Sequence, residues 1–103
     1  MTAKEYLSSY IILTTEIEQL RMEQQKEANK KREKEIATKI AARNKIIATI
    51  HSLKNSVQEK ILYKHFIEDK SYNVIADEIH YSKAHIMREK KKALIAVDSL
   101  IGN

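Results

Sequence analysis

The chain has 103 residues, with 19 Lys and Arg against 14 Asp and Glu, a formal charge of +5 and a pI near 9.4. It has no cysteine, which excludes disulfide staples and thiolate metal centres. It has no proline and a single glycine, Gly102, which excludes hairpin-rich β folds and every glycine-rich phosphate loop. The expected class is therefore all-α, and the basic excess favours acidic partners, double-stranded DNA first.

The first helix is announced by Thr2, with Glu5 three residues later to complete a capping box. Tyr6, Tyr10, Leu13, Ile17 and Leu20 then recur at spacings of 4, 3, 4 and 3, which is the seam of a coiled coil. The apolar run Tyr6 to Leu13 is too short to span a bilayer, and no small-residue cleavage site follows it. The expectation is a cytoplasmic protein with no membrane contact. Residues 21–35 are almost wholly polar good helix formers with Glu and Lys interleaved. A continuous solvated helix is favoured there over a helical hairpin turning near Asn29, because no glycine marks a turn. Apolar residues return with Ile36, Ile40, Ile46, Ile47, Ile50 and Leu53, and a break follows at Lys54 to Ser56, capped by Asn55 or Ser56. Residues 1–53 thus read as a helical arm for oligomerisation or partner binding. A helix with one apolar stripe must bury it. The arm predicts a homodimer, through Tyr6, Leu13, Ile17 and Leu20 or through Ile36, Ile40 and Ile47.

Residues 54–103 form the second unit. Val57, Ile61, Leu62, His65 and Phe66 fall on one helical face, and the polar Glu68-Asp69-Lys70 ends that helix. Ser71 caps a short helix, Tyr72 to Ile79, with Val74, Ile75 and Ile79 inward. His80-Tyr81 is a turn, and Ser82 caps the last helix, whose core face carries Ile86, Ala93, Leu94 and Val97. The spacing from Tyr72 to Arg88 fits a helix-turn-helix: Ala76 is small enough for close crossing, Ile79 and Tyr81 flank the turn, and Ile86 packs back. The second helix then offers Lys83, Ala84, Met87 and Arg88 to a major groove. Ser82 and the free first-turn amides are placed for a phosphate. Lys90, Lys91 and Lys92 extend the positive face.

Ile50-x-x-Leu53, Ile61-Leu62-Tyr63-x-x-Phe66, Lys70-Ser71-Tyr72-x-x-Ile75-Ala76-x-x-Ile79, Tyr81-Ser82-x-x-x-Ile86 and Lys92-Ala93-Leu94 together resemble region four of bacterial sigma factors. The closer likeness is to small phage proteins that carry this module behind a helical arm, and Ala3-Lys4-Glu5-Tyr6-Leu7 is similar to their start. His80 stands where that family has a glycine at positive φ. The resemblance implies a sigma-like helix-turn-helix, phage transcription control in a bacterial host cell, and an arm used for self-association or for host RNA polymerase.

Other chemistries find little support in the residues. His51, His65, His80 and His85 are the only imidazoles, and His80 and His85 straddle a turn, so no metal site is expected. Glu68-Asp69 and Asp77-Glu78 are adjacent pairs whose side chains diverge, unlike an acid–base couple. Neither an enzyme nor a cofactor is expected. The alternative function is an interaction protein that inhibits or redirects a host protein, RNA polymerase or a defence nuclease, through arm charges such as Arg21, Lys30, Lys31 and Arg32. Charge supports this alternative: residues 1–53 hold ten Lys/Arg against seven Asp/Glu, and residues 54–103 hold nine against seven.

Overall fold

In the computed structural model, which describes residues 1–102, every α-helix starts at a side chain that accepts a hydrogen bond from the amide three positions on. Thr2 caps α1 (Ala3–Lys26), Asn29 caps α2 (Lys30–His51), Asn55 caps α3 (Ser56–Leu62), Ser71 caps α4 (Tyr72–Ile79) and Ser82 caps α5 (Lys83–Leu100). Each cap satisfies one of the amides that a helix start leaves without a partner. At α1 the box is complete, since the Glu5 carboxylate accepts from the Thr2 amide at 3.0 Å. The expected caps at Thr2, Ser71 and Ser82 are all present, and of Asn55 and Ser56 it is Asn55 that serves. No strand occurs among the described residues.

The expected continuous helix over 21–35 is not formed. The chain turns at Glu27-Ala28-Asn29, and α2 runs back along α1 as a helical hairpin. Polar side chains do what a glycine would otherwise do. Gln24 accepts from the Asn29 amide and donates to the Asn29 carbonyl, both at 3.2 Å. The Arg32 guanidinium donates to the Glu23 carbonyl in the last turn of α1 and to that of Glu27 just past its end, and pairs with the Glu23 carboxylate at 3.5 Å. Glu27 and Asn29 are both extended, at φ −149° and −153°, so neither visits the left-handed region. The driving force is apolar: two helices with one stripe each can bury both against each other.

The seam expected to join two chains therefore lies inside one. Ile17 is buried, and Leu20, Ile36, Ile40 and Ile47 are half-buried. Tyr6, Tyr10 and Leu13 pack against a buried cluster of Ala3, Leu7, Ile46, Ile50, Leu53, Leu62, Ala93 and Val97. That cluster draws on α1, α2, α3 and α5, so the base of the hairpin and the C-terminal half share one core. A polar tether reinforces it: the Ala3 amide donates to the Asp98 carboxylate of α5 at 2.7 Å. Also at the base, Tyr6 and Thr49 share a hydroxyl hydrogen bond at 3.0 Å, and higher on the hairpin Lys39 pairs with Glu16 at 3.3 Å.

After α3 the backbone widens into a π-helical segment, Tyr63–Ile67. The expected single face of Val57, Ile61, Leu62, His65 and Phe66 is thereby broken. Ile61 and Leu62 are fully buried, while His65 and Phe66 rotate to half-buried positions. A π turn is favoured where side chains need re-aiming. Here it brings the His65 ring flat against Tyr72 at 4.1 Å, and the Nδ1–H donates to the Lys70 carbonyl at 2.7 Å. Asp69, at φ 58°, closes the segment.

Candidate nucleic-acid interface

α4 and α5 are joined by His80, Tyr81 and Ser82. His80 sits in the left-handed region at φ 60°, ψ 42°, and its amide and that of Tyr81 both donate to the Ala76 carbonyl. A residue other than glycine is strained there, and the two hydrogen bonds accepted by the Ala76 carbonyl hold it. The two helices cross over a small separate core of Ile61, Ile75, Ala76 and Ile86, all buried. Ala76 lies within this core, as expected. Val74 does not: it is 43% exposed, because so short a helix buries only the stripe of Ile75, Ala76 and Ile79.

The opposite side of α5 is open. At about 100° per residue, Lys83, Ala84, Met87, Arg88 and Lys91 share one side of the helix. Lys83, Ala84, Arg88 and Lys91 are exposed and Met87 is half-buried. Ile95, 66% exposed, continues the same stripe one turn beyond Lys91. Ser82, at the head of the stripe, is exposed, but its hydroxyl already accepts from the His85 amide at 3.1 Å.

The electrostatics favour this stripe over its surroundings. Lys64 and Lys70 both grip Glu78, at 2.9 and 2.8 Å, and Lys70 also holds Glu68 at 3.1 Å. Those ammonium contacts depress the Glu78 carboxyl pKa, and the same pairs raise that of Lys70. Glu89 accepts from Gln58 at 3.2 Å and pairs with Lys92 at 3.3 Å, which lowers its pKa in turn. Lys83, Arg88 and Lys91 have no ion pair among the described residues.

The run Lys90 to Lys92 is thus divided. Lys91 is free, and Lys92 is exposed but shared with Glu89. Lys90 lies 5.1 Å over the ring of Tyr72, which also stacks on His65. Burial among these groups raises the Tyr72 hydroxyl pKa. Lys90 is therefore a packing residue that ties α5 to α4.

Several features escape a reading by spacing. Tyr81 and His85 stack at 4.6 Å with rings 6° from parallel, at the entrance to α5. The only sign in the sequence is their four-residue separation across a cap. Asp98 of α5 accepts from the first amide of α1, 95 residues away, a contact no local spacing shows. Arg32, expected among the free charges of the arm, is half-buried in the hairpin turn, whereas Arg21, Lys30 and Lys31 are exposed. The four histidines are dispersed, and no group of three or more His, Asp or Glu side chains able to hold a metal occurs among the described residues. No helix among them is long and apolar enough to cross a membrane. No protein-family model matches the chain, and no curated protein and no solved structure matches it.

Proposed function

We propose that the protein binds double-stranded DNA, with α4, the link and α5 acting as a sigma-like helix-turn-helix and the stripe Lys83, Ala84, Met87 and Arg88 facing the major groove. The observation that carries this reading is the set of unpaired cations on one outward side of α5, beginning at its N-terminus. Lys83, Arg88 and Lys91 stay free while Glu68, Glu78 and Glu89 are each held by a lysine. Cations without protein partners are available to phosphates, and neutralising phosphates releases counterions. The likeness to region four of sigma factors supports the same assignment and suggests phage transcription control as its setting.

Fluorescence anisotropy on labelled duplex at two salt concentrations tests it. The wild type binds at low salt, and affinity falls steeply as salt rises. Replacing Lys91 and Lys92 by Ala weakens all sequences about equally and lowers the salt slope by roughly 0.9 per lost phosphate contact. Absence of binding at low salt refutes the reading.

A second reading, an interaction protein acting on a host protein through the hairpin, is favoured by one observation. Ile11, Ile12 and Met22 are 51, 58 and 58% exposed on the outer side of α1, away from the stripe that meets α2. Under this reading Ile12→Glu abolishes capture of the host protein and leaves the α5 charges irrelevant.

A further inference from the structure

The outward side chains at the head of α5 form a restricted chemical set. Lys83 and Arg88 are cations, Ala84 and Met87 are apolar, and no Asn, Gln, Asp or Glu stands among the exposed positions from Lys83 to Arg88. Each base-pair edge in a major groove asks for different chemistry. Guanine offers two acceptors to Arg or Lys, and thymine offers its C5-methyl group to an apolar side chain. Adenine needs the paired donor and acceptor of Asn or Gln, and cytosine needs an acceptor such as Asp or Glu. The acids closest to the set along the chain on either side are committed elsewhere: Glu89 is half-buried and bonded to Gln58 and Lys92, and Glu78 is clamped by Lys64 and Lys70.

We infer that α5 reads guanine and thymine edges only, with Arg88 on a guanine and Ala84, backed by Met87, on thymine methyl groups. The inference rests on the DNA-binding reading and adds the base chemistry to it. Ala84 and Arg88 are one turn apart, about 6 Å along the helix axis. That is close to two base-pair steps of about 3.4 Å each. The two contacts therefore fall within one short element that carries a thymine and a guanine no more than about two steps apart. Ala84 is exposed and Met87 half-buried. Ala84 meets the groove first, and the Met87 thioether, soft and adaptable, closes the apolar surface beside it. The exposed Ile95 lies too far along α5 to join them: eleven residues from Ala84, about 16 Å on.

Thymine and uracil differ by the methyl group alone, so the methyl can be removed without touching any hydrogen bond. Duplexes enriched from a random pool are resynthesised with deoxyuridine in place of each thymine in turn, and binding is measured by anisotropy. At one or two positions the loss of the methyl weakens binding about fourfold, equivalent to the ~0.8 kcal/mol of one buried methyl-sized group. In Ala84→Ser, whose melting curve confirms that it folds, the deoxyuridine penalty at that position disappears. Arg88→Ala flattens the preference for guanine and keeps the deoxyuridine penalty. Enriched duplexes bound equally well with and without the methyl groups overturn the inference while DNA binding stands. So does binding from which no sequence emerges. Failure of every duplex to bind at low salt removes the DNA reading, and the inference with it.

Discussion

Removing the Asp98 carboxylate tests how the hairpin is attached. The first turn of α1 has three amides to satisfy. That of Glu5 donates to the Thr2 hydroxyl, that of Lys4 belongs to an exposed residue, and that of Ala3 donates to Asp98 at 2.7 Å. Ala3 is 1% exposed, so its amide has no route to water when the carboxylate is gone. A hydrogen bond to a charged group contributes roughly 1.5–3 kcal/mol, and a buried amide left without an acceptor costs about 1–3 kcal/mol. These are two descriptions of the same loss. The middle of these ranges places Asp98→Ala at about 2 kcal/mol. For a domain of this size that lowers Tm by roughly 10 °C. Asp98→Asn keeps an acceptor and gives up only its charge, so about half the effect is expected. Scanning calorimetry should show one transition for both variants, because the hairpin base and the C-terminal half share the cluster of Leu7, Ile50, Leu62 and Val97. An Asp98→Ala protein that melts within about 2 °C of wild type, or in two separate steps, refutes the docking of α1 on α5.

Three further outcomes follow from the geometry. Ala76→Leu overpacks the small core between α4 and α5 and costs about 1–3 kcal/mol in urea unfolding; unchanged stability means the helices do not cross there. His80→Gly relieves a left-handed residue worth about 1–2 kcal/mol and gives back part of it as chain entropy, for a net gain of about 0.5–1 kcal/mol by the same assay. The Glu78 carboxyl, its pKa lowered by Lys70 and Lys64, adds stability above its unfolded pKa that is lost as the pH falls through its folded value. Wild type should thus lose more Tm between about pH 5 and pH 3 than Glu78→Gln does, and parallel curves would show that the clamp contributes nothing.

Local events can be read along the chain. Thr2, Ser71 and Ser82 announce helix starts because a short side-chain oxygen satisfies an amide only three residues away. Ile75, Ala76 and Ile86 announce a tight crossing because their spacing and size leave one packing solution. His80 is legible as a turn residue between the two helices, and it adopts the positive φ that the resemblance implies for that position. Pairing, by contrast, is settled only when the helices meet. A 4-3 stripe states that α1 needs an apolar partner without stating which, and the hairpin through Gln24, Asn29 and Arg32 supplies α2 of the same chain in place of a second copy. The candidate interface divides in the same way. Lys83, Ala84, Met87 and Arg88 could be placed on one helix side from periodicity alone. Which lysines remain free could not, because Lys90 is taken by Tyr72 and Lys92 is shared with Glu89. Charge is written in the chain residue by residue, whereas its neutralisation depends on groups that only folding brings within a few ångströms, as the bond between Ala3 and Asp98 does across almost the whole length of the chain.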